Sequence, residues 1–230
     1  MSEHWVVSGA SRGIGLELVR QLAARGERVT ASVRNEAARD MLLAALAAQH
    51  ARVEAKLFDM RDGGAIDGAA KTIAGPIDVL VASAGVYGPK PQTPLEMDFE
   101  GALDVFSINA LGPMRLVRAL LPQFAGAANP RIALVSSVLG SSADVRPVNA
   151  VYAASKIALN KFAQCLAEEL KPQGIVVVAL HPGWVRTDMG GPNAPLSVQE
   201  SVSGILATID ALTINDSGGF IDYQGQTIAW

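Results

Sequence analysis

The sequence predicts one α/β domain, a doubly wound parallel sheet of about seven strands with helices on both faces. Short β-rich apolar runs alternate along the chain with longer stretches of helical period. The inner runs, such as Ile77–Ala82 and Ile175–Leu180, are apolar almost without a break, as strands covered on both faces require. No linker, internal repeat or low-complexity tract divides the 230 residues, and one unit of that length can bury a large core. Residues 1–230 are therefore expected to form a single domain.

Strands are expected at Trp5–Ser8, Val29–Val33, Arg52–Phe58, Ile77–Ala82, Arg131–Ser136, Ile175–His181 and Gly219–Asp222. Between the first two, Leu16, Val19, Leu22 and Ala23 recur at helical spacing on one face, and Gly26 closes that helix. Asn35–Gln49 reads as a second helix with Leu42, Leu43 and Leu46 turned inward. Further helices are expected at Ala65–Ile73, Asp98–Leu121, Asn149–Leu170 and Val198–Ala211. Each returns the chain across the sheet, so that the next strand runs parallel. Gly190–Pro195 is the most irregular stretch, with a composition suited to a mobile loop beside a site.

Composition excludes several classes of function. Half the residues are hydrophobic, 18% are charged and the net charge is -3, which leaves no basic footprint for nucleic acid. No apolar run approaches the ~20 residues of a membrane-spanning helix. The first residues lack the basic and apolar regions of a signal peptide, so a cytoplasmic protein is expected. The single cysteine, Cys165, cannot form an internal disulfide and is expected to be a packed thiol among Phe162, Ala163 and Leu166. Three scattered histidines and one cysteine make no metal site, and His181, at a strand end beside Pro182, reads as structural.

Gly9, Gly13 and Gly15 fall in the turn between the first strand and the first helix. Glycines there let backbone approach a pyrophosphate closely, with the helix N-terminus facing its charge; an isolated glycine-rich turn can equally be an ordinary tight turn. Its place at the first strand–helix junction of an alternating chain favours a dinucleotide. An acidic residue about 20 positions on would favour NAD. Position 34 instead carries arginine, a cation suited to a 2′-phosphate, with Arg12 in the turn as a second candidate. NADP(H) is expected over NAD(H), although Glu36 is close enough to serve a ribose.

Tyr152 and Lys156 are four apart and share a face of the Asn149–Leu170 helix. A phenol has a reference pKa of ~10, and a neighbouring ammonium stabilises its anion and moves it toward working pH. Ser136 and Ser137 end the preceding strand, at the carboxyl edge where open α/β sheets bind ligands. They offer a donor for an oxygen that gains negative charge.

These pieces together resemble the short-chain dehydrogenase/reductases of the compact, single-domain Rossmann kind, from Trp5 to Trp230. The family's Thr-Gly-x-x-x-Gly-x-Gly turn stands here as Ser8–Gly15, and its Tyr-x-x-x-Lys as Tyr152 and Lys156. The resemblance implies a catalytic set of Asn109, Ser137, Tyr152 and Lys156, with Asn109 helping to hold a proton-relay water. It implies cofactor contacts from Gly9, Ser11, Arg12, Gly13, Ile14, Gly15, Arg34, Asp59, Met60, Ala84 and Gly85, from Asn109, Tyr152 and Lys156 (the last on the nicotinamide ribose), and from Pro182, Gly183, Val185 and Thr187 in the segment that closes over nicotinamide. The implied activity is reduction of a ketone or aldehyde by hydride transfer, with a small-molecule partner, in a homodimer or homotetramer. Leu103, Val105, Phe106, Leu116, Leu120 and Leu121 give more apolar surface than one helix face needs, and the resemblance implies that this segment and the Tyr152 helix pair between subunits.

Gly140–Ser142, Ser155–Asn160 and Asp216–Phe220 are most similar to the C-factor and sniffer-like carbonyl reductases. Two departures stand out. Ala82-Ser83-Ala84-Gly85 replaces the family's Asn-Asn-Ala-Gly, so a serine hydroxyl is expected to take over part of a lost bracing role. Ser137 also precedes Tyr152 by 15 positions, a lengthening that sniffer-like members share. Tyr87, Val138, Leu139, Trp184 and a loop around residues 184–197 are expected to shape an apolar substrate pocket. The rival reading is a dinucleotide-binding signalling protein with little catalysis.

Overall fold

The computed structural model describes residues 2–46, 53–143 and 145–230. Seven strands form one parallel sheet: β1 (His4–Ser8), β2 (Arg28–Val33), β3 (Val53–Leu57), β4 (Val79–Ala82), β5 (Arg131–Val135), β6 (Val176–His181) and β7 (Phe220–Asp222). Their order is β3-β2-β1-β4-β5-β6-β7. The chain winds outward from β1 in one direction, then restarts at β4 and winds the other way. That reversal opens a crevice at the carboxyl ends of β1 and β4, where Ser8 pairs with Ala82.

Alternation along the strands divides the core between two faces. Trp5, Val7, Val79, Val81, Val176, Val178 and Leu180 pack on one face. They meet α1 (Gly13–Ala24), α2 (Glu36–Leu46) and α7 (Val198–Ala211). Val6, Leu80, Ala82, Val177 and Ala179 pack on the other. They meet α3 (Gly63–Ala70), α5 (Gly112–Leu120) and α6 (Ala150–Leu170). The Ser197–Glu200 capping box starts α7.

Several expectations need correction. The buried stripe of α1 is Leu18, Val19, Leu22 and Ala23, with Leu16 only half-buried. Leu43 is likewise half-buried, beside a fully covered Leu42. Residues 47–49 of the expected second helix, and Arg52 of the expected third strand, lie outside the described residues. Cys165 is exposed: it falls on the outer face of α6, opposite the buried Ala163 and Ala167.

The expected helix Asp98–Leu121 is three pieces: α4 (Phe99–Phe106), a π turn over Ser107–Leu111, and α5. Pro113 has no N–H to return to the Asn109 carbonyl four residues back, so the α-helical ladder cannot continue there. Of the residues expected to pair subunits, Val105, Leu116 and Leu120 belong to the chain's own core, and Leu103 is exposed beside Phe99 and Leu111.

Candidate active site

The crevice at the β1/β4 reversal is a cavity of about 530 Å³ lined by the β1–α1 turn, the ends of β2 to β6 and the segment after β6. Its first wall is backbone. Gly9 has φ +73, and a Cβ there would lie 2.7 Å from the Ala84 Cα. A Cβ on Gly15 would lie 2.2 Å from the Gly9 carbonyl oxygen. Only hydrogen fits at either place. Arg12 at the N-cap of α1 is extended and makes no side-chain cap, and no acidic residue occupies the first turn. The helix therefore presents uncapped N–H groups and its positive dipole end to the cavity. That cradle fits a dinucleotide pyrophosphate.

Ser11, Arg12, Gly13, Ile14, Arg34, Asp59, Met60, Ala84, Gly85, Pro182 and Thr187 also line the cavity, with Gly9, Gly15, Tyr152 and Lys156. Asp59 is gripped by Arg61 through Nε at 3.0 Å and a terminal nitrogen at 2.9 Å, which holds its carboxyl below the usual range. Arg34 is exposed at the rim and adds to that depression. Glu36, the acidic alternative for a ribose, is engaged by Arg39 at 2.5 Å and does not line the cavity. Arg12 pairs with Asp188 at 2.8 Å, joining the glycine turn to the segment after β6.

The second wall is made of buried side chains. Lys156 is covered; its Nζ donates to the Val135 carbonyl at 2.8 Å and lies 5.8 Å from the Tyr152 ring centre. Burial pulls its pKa down to about 8. Tyr152 is buried and pushed up to about 12 by loss of solvent; a hydrogen bond with the Ser137 side chain offsets only part of that. The direction is opposite to the expected depression of the phenol pKa, because loss of solvent outweighs the Ser137 hydrogen bond. The serine pair resolves as well. Ser136 spends its hydroxyl on Asn160 at 2.6 Å, whereas Ser137 faces Tyr152.

Asn109, Ser137, Gly183 and Val185 do not line the cavity. The Asn109 amide accepts from Val86 N–H at 2.9 Å and donates to Val86 O at 2.8 Å and to Ser155 at 3.0 Å. Its side chain thus braces the loop after β4, with both amide protons engaged and one acceptor position of Oδ1 occupied. Val185 is buried and bridged to Leu196, and Gly183 packs against the side chains of Leu196 and Tyr223. Ser83 lines the cavity, but the tether between the two strand ends comes from Ser8, whose hydroxyl accepts the Ala84 N–H at 3.3 Å.

The segment around Gly190–Pro195 carries hydrogen bonds to its own neighbours in the chain. Arg186 N–H donates to Leu196 O at 2.9 Å, Gly191 N–H to Thr187 O at 2.8 Å and the Trp184 indole to Gly190 O at 2.8 Å. His181 is pushed down to about 4 by burial and accepts the Val138 N–H through Nδ1 at 3.1 Å, a structural role. Among the described residues there is no cluster suited to a metal ion, and no helix is long and apolar enough to cross a membrane. Sequence reasoning missed Gln92, buried beneath Tyr87 and Tyr152. A glutamine in a proline-rich loop carries no local signal of burial.

The profile of the short chain dehydrogenase family matches residues 3–195. The C-signal protein of Myxococcus xanthus is 44% identical over 163 residues, covering 70% of this chain and 98% of its own. The carbonyl reductase Sniffer of D. melanogaster superposes with a TM-score of 0.90 at 32% identity over 100% of both chains. An NADPH-bound carbonyl reductase from chicken fatty liver superposes with a TM-score of 0.90 at 30% identity, over 100% of this chain and 99% of its own. The glycine cradle at a sheet reversal, the buried tyrosine–lysine pair and these similarities lead to one conclusion: the chain belongs to the short-chain dehydrogenase/reductase family of NAD(P)-dependent oxidoreductases.

Proposed function

We propose that the protein is an NADPH-dependent carbonyl reductase that converts a ketone or aldehyde to an alcohol. The observation that carries this reading is the Tyr152 phenol, buried beside the cavity, hydrogen-bonded with Ser137 and 5.8 Å (ring centre) from the Lys156 ammonium. When bound, NADPH supplies the hydride. Ser137 and Tyr152 orient the carbonyl oxygen through their hydroxyls, and Tyr152 passes its proton to that oxygen as negative charge develops there. Burial keeps the phenol neutral near pH 7, the form a proton donor needs. Lys156 is cationic below about pH 8 and stabilises the phenolate left behind. Asn109 contributes by fixing the Val86 loop and by supporting reprotonation through water.

The preference for NADPH rests on Arg34, exposed at the cavity rim, with Arg12 in the turn as a second cation. Asp59 and Met60 serve the adenine, Lys156 the nicotinamide ribose, and Pro182, Gly183, Val185 and Thr187 the segment closing over the nicotinamide. Tyr87, Val138, Leu139, Trp184 and the loop around residues 184–197 favour carbonyl compounds with apolar bodies. Phe99, Leu103 and Leu111 on α4 and the π turn, with Ile157 on α6, form exposed apolar surface suited to a homodimer or homotetramer. A cytoplasmic setting agrees with the single, unpaired cysteine.

Similarity to the C-signal protein favours a second reading, a dinucleotide-binding signalling protein with little chemistry. A pocket that only senses a nucleotide has no use for a buried proton donor. The test is loss of NADPH absorbance with 4-nitrobenzaldehyde and a panel of aryl and long-chain ketones, repeated with NADH. The expected result is turnover of at least one carbonyl compound and a lower KM for NADPH. NADPH binding without turnover of any compound in the panel transfers the assignment to the signalling reading.

A further inference from the structure

We infer that Gln92 is a positioning residue that caps the helix bearing Tyr152 and locks the Tyr87 loop to it; this rests on the proposed role of Tyr152. Tyr152 stands in the first turn of α6, where backbone N–H groups have no partner within the helix. The N-cap residue, Asn149, makes no side-chain cap, because its Oδ1 accepts the Tyr87 hydroxyl instead. The missing cap arrives from a different part of the chain. The Gln92 Oε1 accepts the Tyr152 N–H at 3.0 Å, and its Nε2 donates to the Tyr87 carbonyl at 2.7 Å. Gln92 is 2% exposed. Reversing its amide would break both bonds, so the orientation is determined by the partners.

The consequence is a closed frame around the reacting phenol. Tyr87 stacks on Tyr152 with ring centres 5.2 Å apart and planes at 22°. One end of Tyr87 is tied through its hydroxyl to Asn149, and its main chain is tied through Gln92 to the Tyr152 backbone. The Tyr152 ring is therefore confined from above by a partner that the same helix end holds in place. Gln92 touches no reacting atom. It acts by setting where the phenol stands, and sub-ångström placement matters for proton transfer.

Gln92→Met keeps the length and removes both hydrogen bonds. Gln92→Glu keeps the acceptor for the Tyr152 N–H and removes only the donor to Tyr87. Two readouts apply: exchange of the Tyr152 amide proton, and kcat and the KM for NADPH with 4-nitrobenzaldehyde. For Gln92→Met we expect about tenfold faster exchange and a kcat lowered about tenfold, with the KM for NADPH within about twofold. For Gln92→Glu the amide exchange stays within about threefold of the parent protein. A residue that merely fills space gives the opposite order, because methionine suits an apolar gap and a carboxylate does not.

The inference is overturned if Gln92→Met leaves the exchange within about twofold, or if Gln92→Glu releases the amide as fully as Gln92→Met. Tyr152→Phe leaves the backbone amide and both Gln92 bonds in place. Should that variant keep its turnover, the catalytic reading of Tyr152 falls, while amide exchange still decides the part played by Gln92.

Discussion

The two walls of the cavity do their work by different physics. The β1–α1 turn contributes backbone: glycines at places where a Cβ would collide, and helix N–H groups left uncapped. Its charged neighbours, Arg12 and Arg34, stand in solvent. The Tyr152 wall contributes side chains, nearly all covered and each fixed by partners from elsewhere in the chain: Lys156 by Val135, Ser136 by Asn160, Tyr152 by Ser137 and Gln92. A site for a constant, charged ligand can be built from local backbone. A site that must move a proton needs buried groups with altered acidities, and those have to be assembled across the fold.

The comparison breaks most sharply at Tyr152. Tyr152→Phe should lower kcat on the best carbonyl substrate by about 10³-fold, while fluorescence titration finds NADPH affinity within a few-fold of the parent. Equal losses in both quantities would mean that the walls are not separable. Lys156→Met is next, with turnover expected to fall about 10²-fold and the melting temperature at pH 7 to stay level or rise. The sign follows from the lowered pKa. The folded-state value of about 8 lies below the reference of 10.5, so the unfolded chain holds the extra proton between those limits. The buried lysine therefore opposes folding fully below pH 8, and this opposition is relieved as pH rises toward 10.5. Melting curves of the two proteins across that range should converge.

On the backbone wall, effects should be smaller and fall on the cofactor alone. Arg34→Ala is expected to weaken NADPH binding by about tenfold or more and NADH binding by less than about threefold, with kcat kept. Parallel losses for both cofactors would remove the 2′-phosphate assignment. Asp188→Asn gives the smallest effect. Its pair with Arg12 is exposed on both sides, so stability should change by under about 1 kcal/mol. Freeing Arg12 should improve NADPH affinity about twofold at low salt, an advantage that vanishes when titrations are repeated at high salt.

How legible the molecule was in its sequence follows the same division. The seven strands, the Val198–Ala211 helix and the glycine turn all lie in short windows of sequence, because periodicity and glycine placement are local. The Tyr152–Lys156 pairing was readable because helical spacing guarantees a shared face. The misreadings fall on helix phase and helix continuity. Cys165 reads as packed from its apolar neighbours, yet the twist of α6 turns it outward. Asp98–Leu121 reads as one helix, and Pro113 already hinted at its interruption.

By itself the sequence determined the doubly wound sheet, the place of the phosphate cradle and the tyrosine–lysine pair, because each depends on residues within a few positions of one another. Tertiary structure alone decided that Ser136 turns to Asn160, that the Asn109 amide is bonded to Val86 and Ser155, and that Gln92 caps the helix at Tyr152. It also decided the acidities, which burial sets near 12 for Tyr152 and near 8 for Lys156. A side chain's partners and its exclusion from water come from elements far away in the chain, and only folding brings those together.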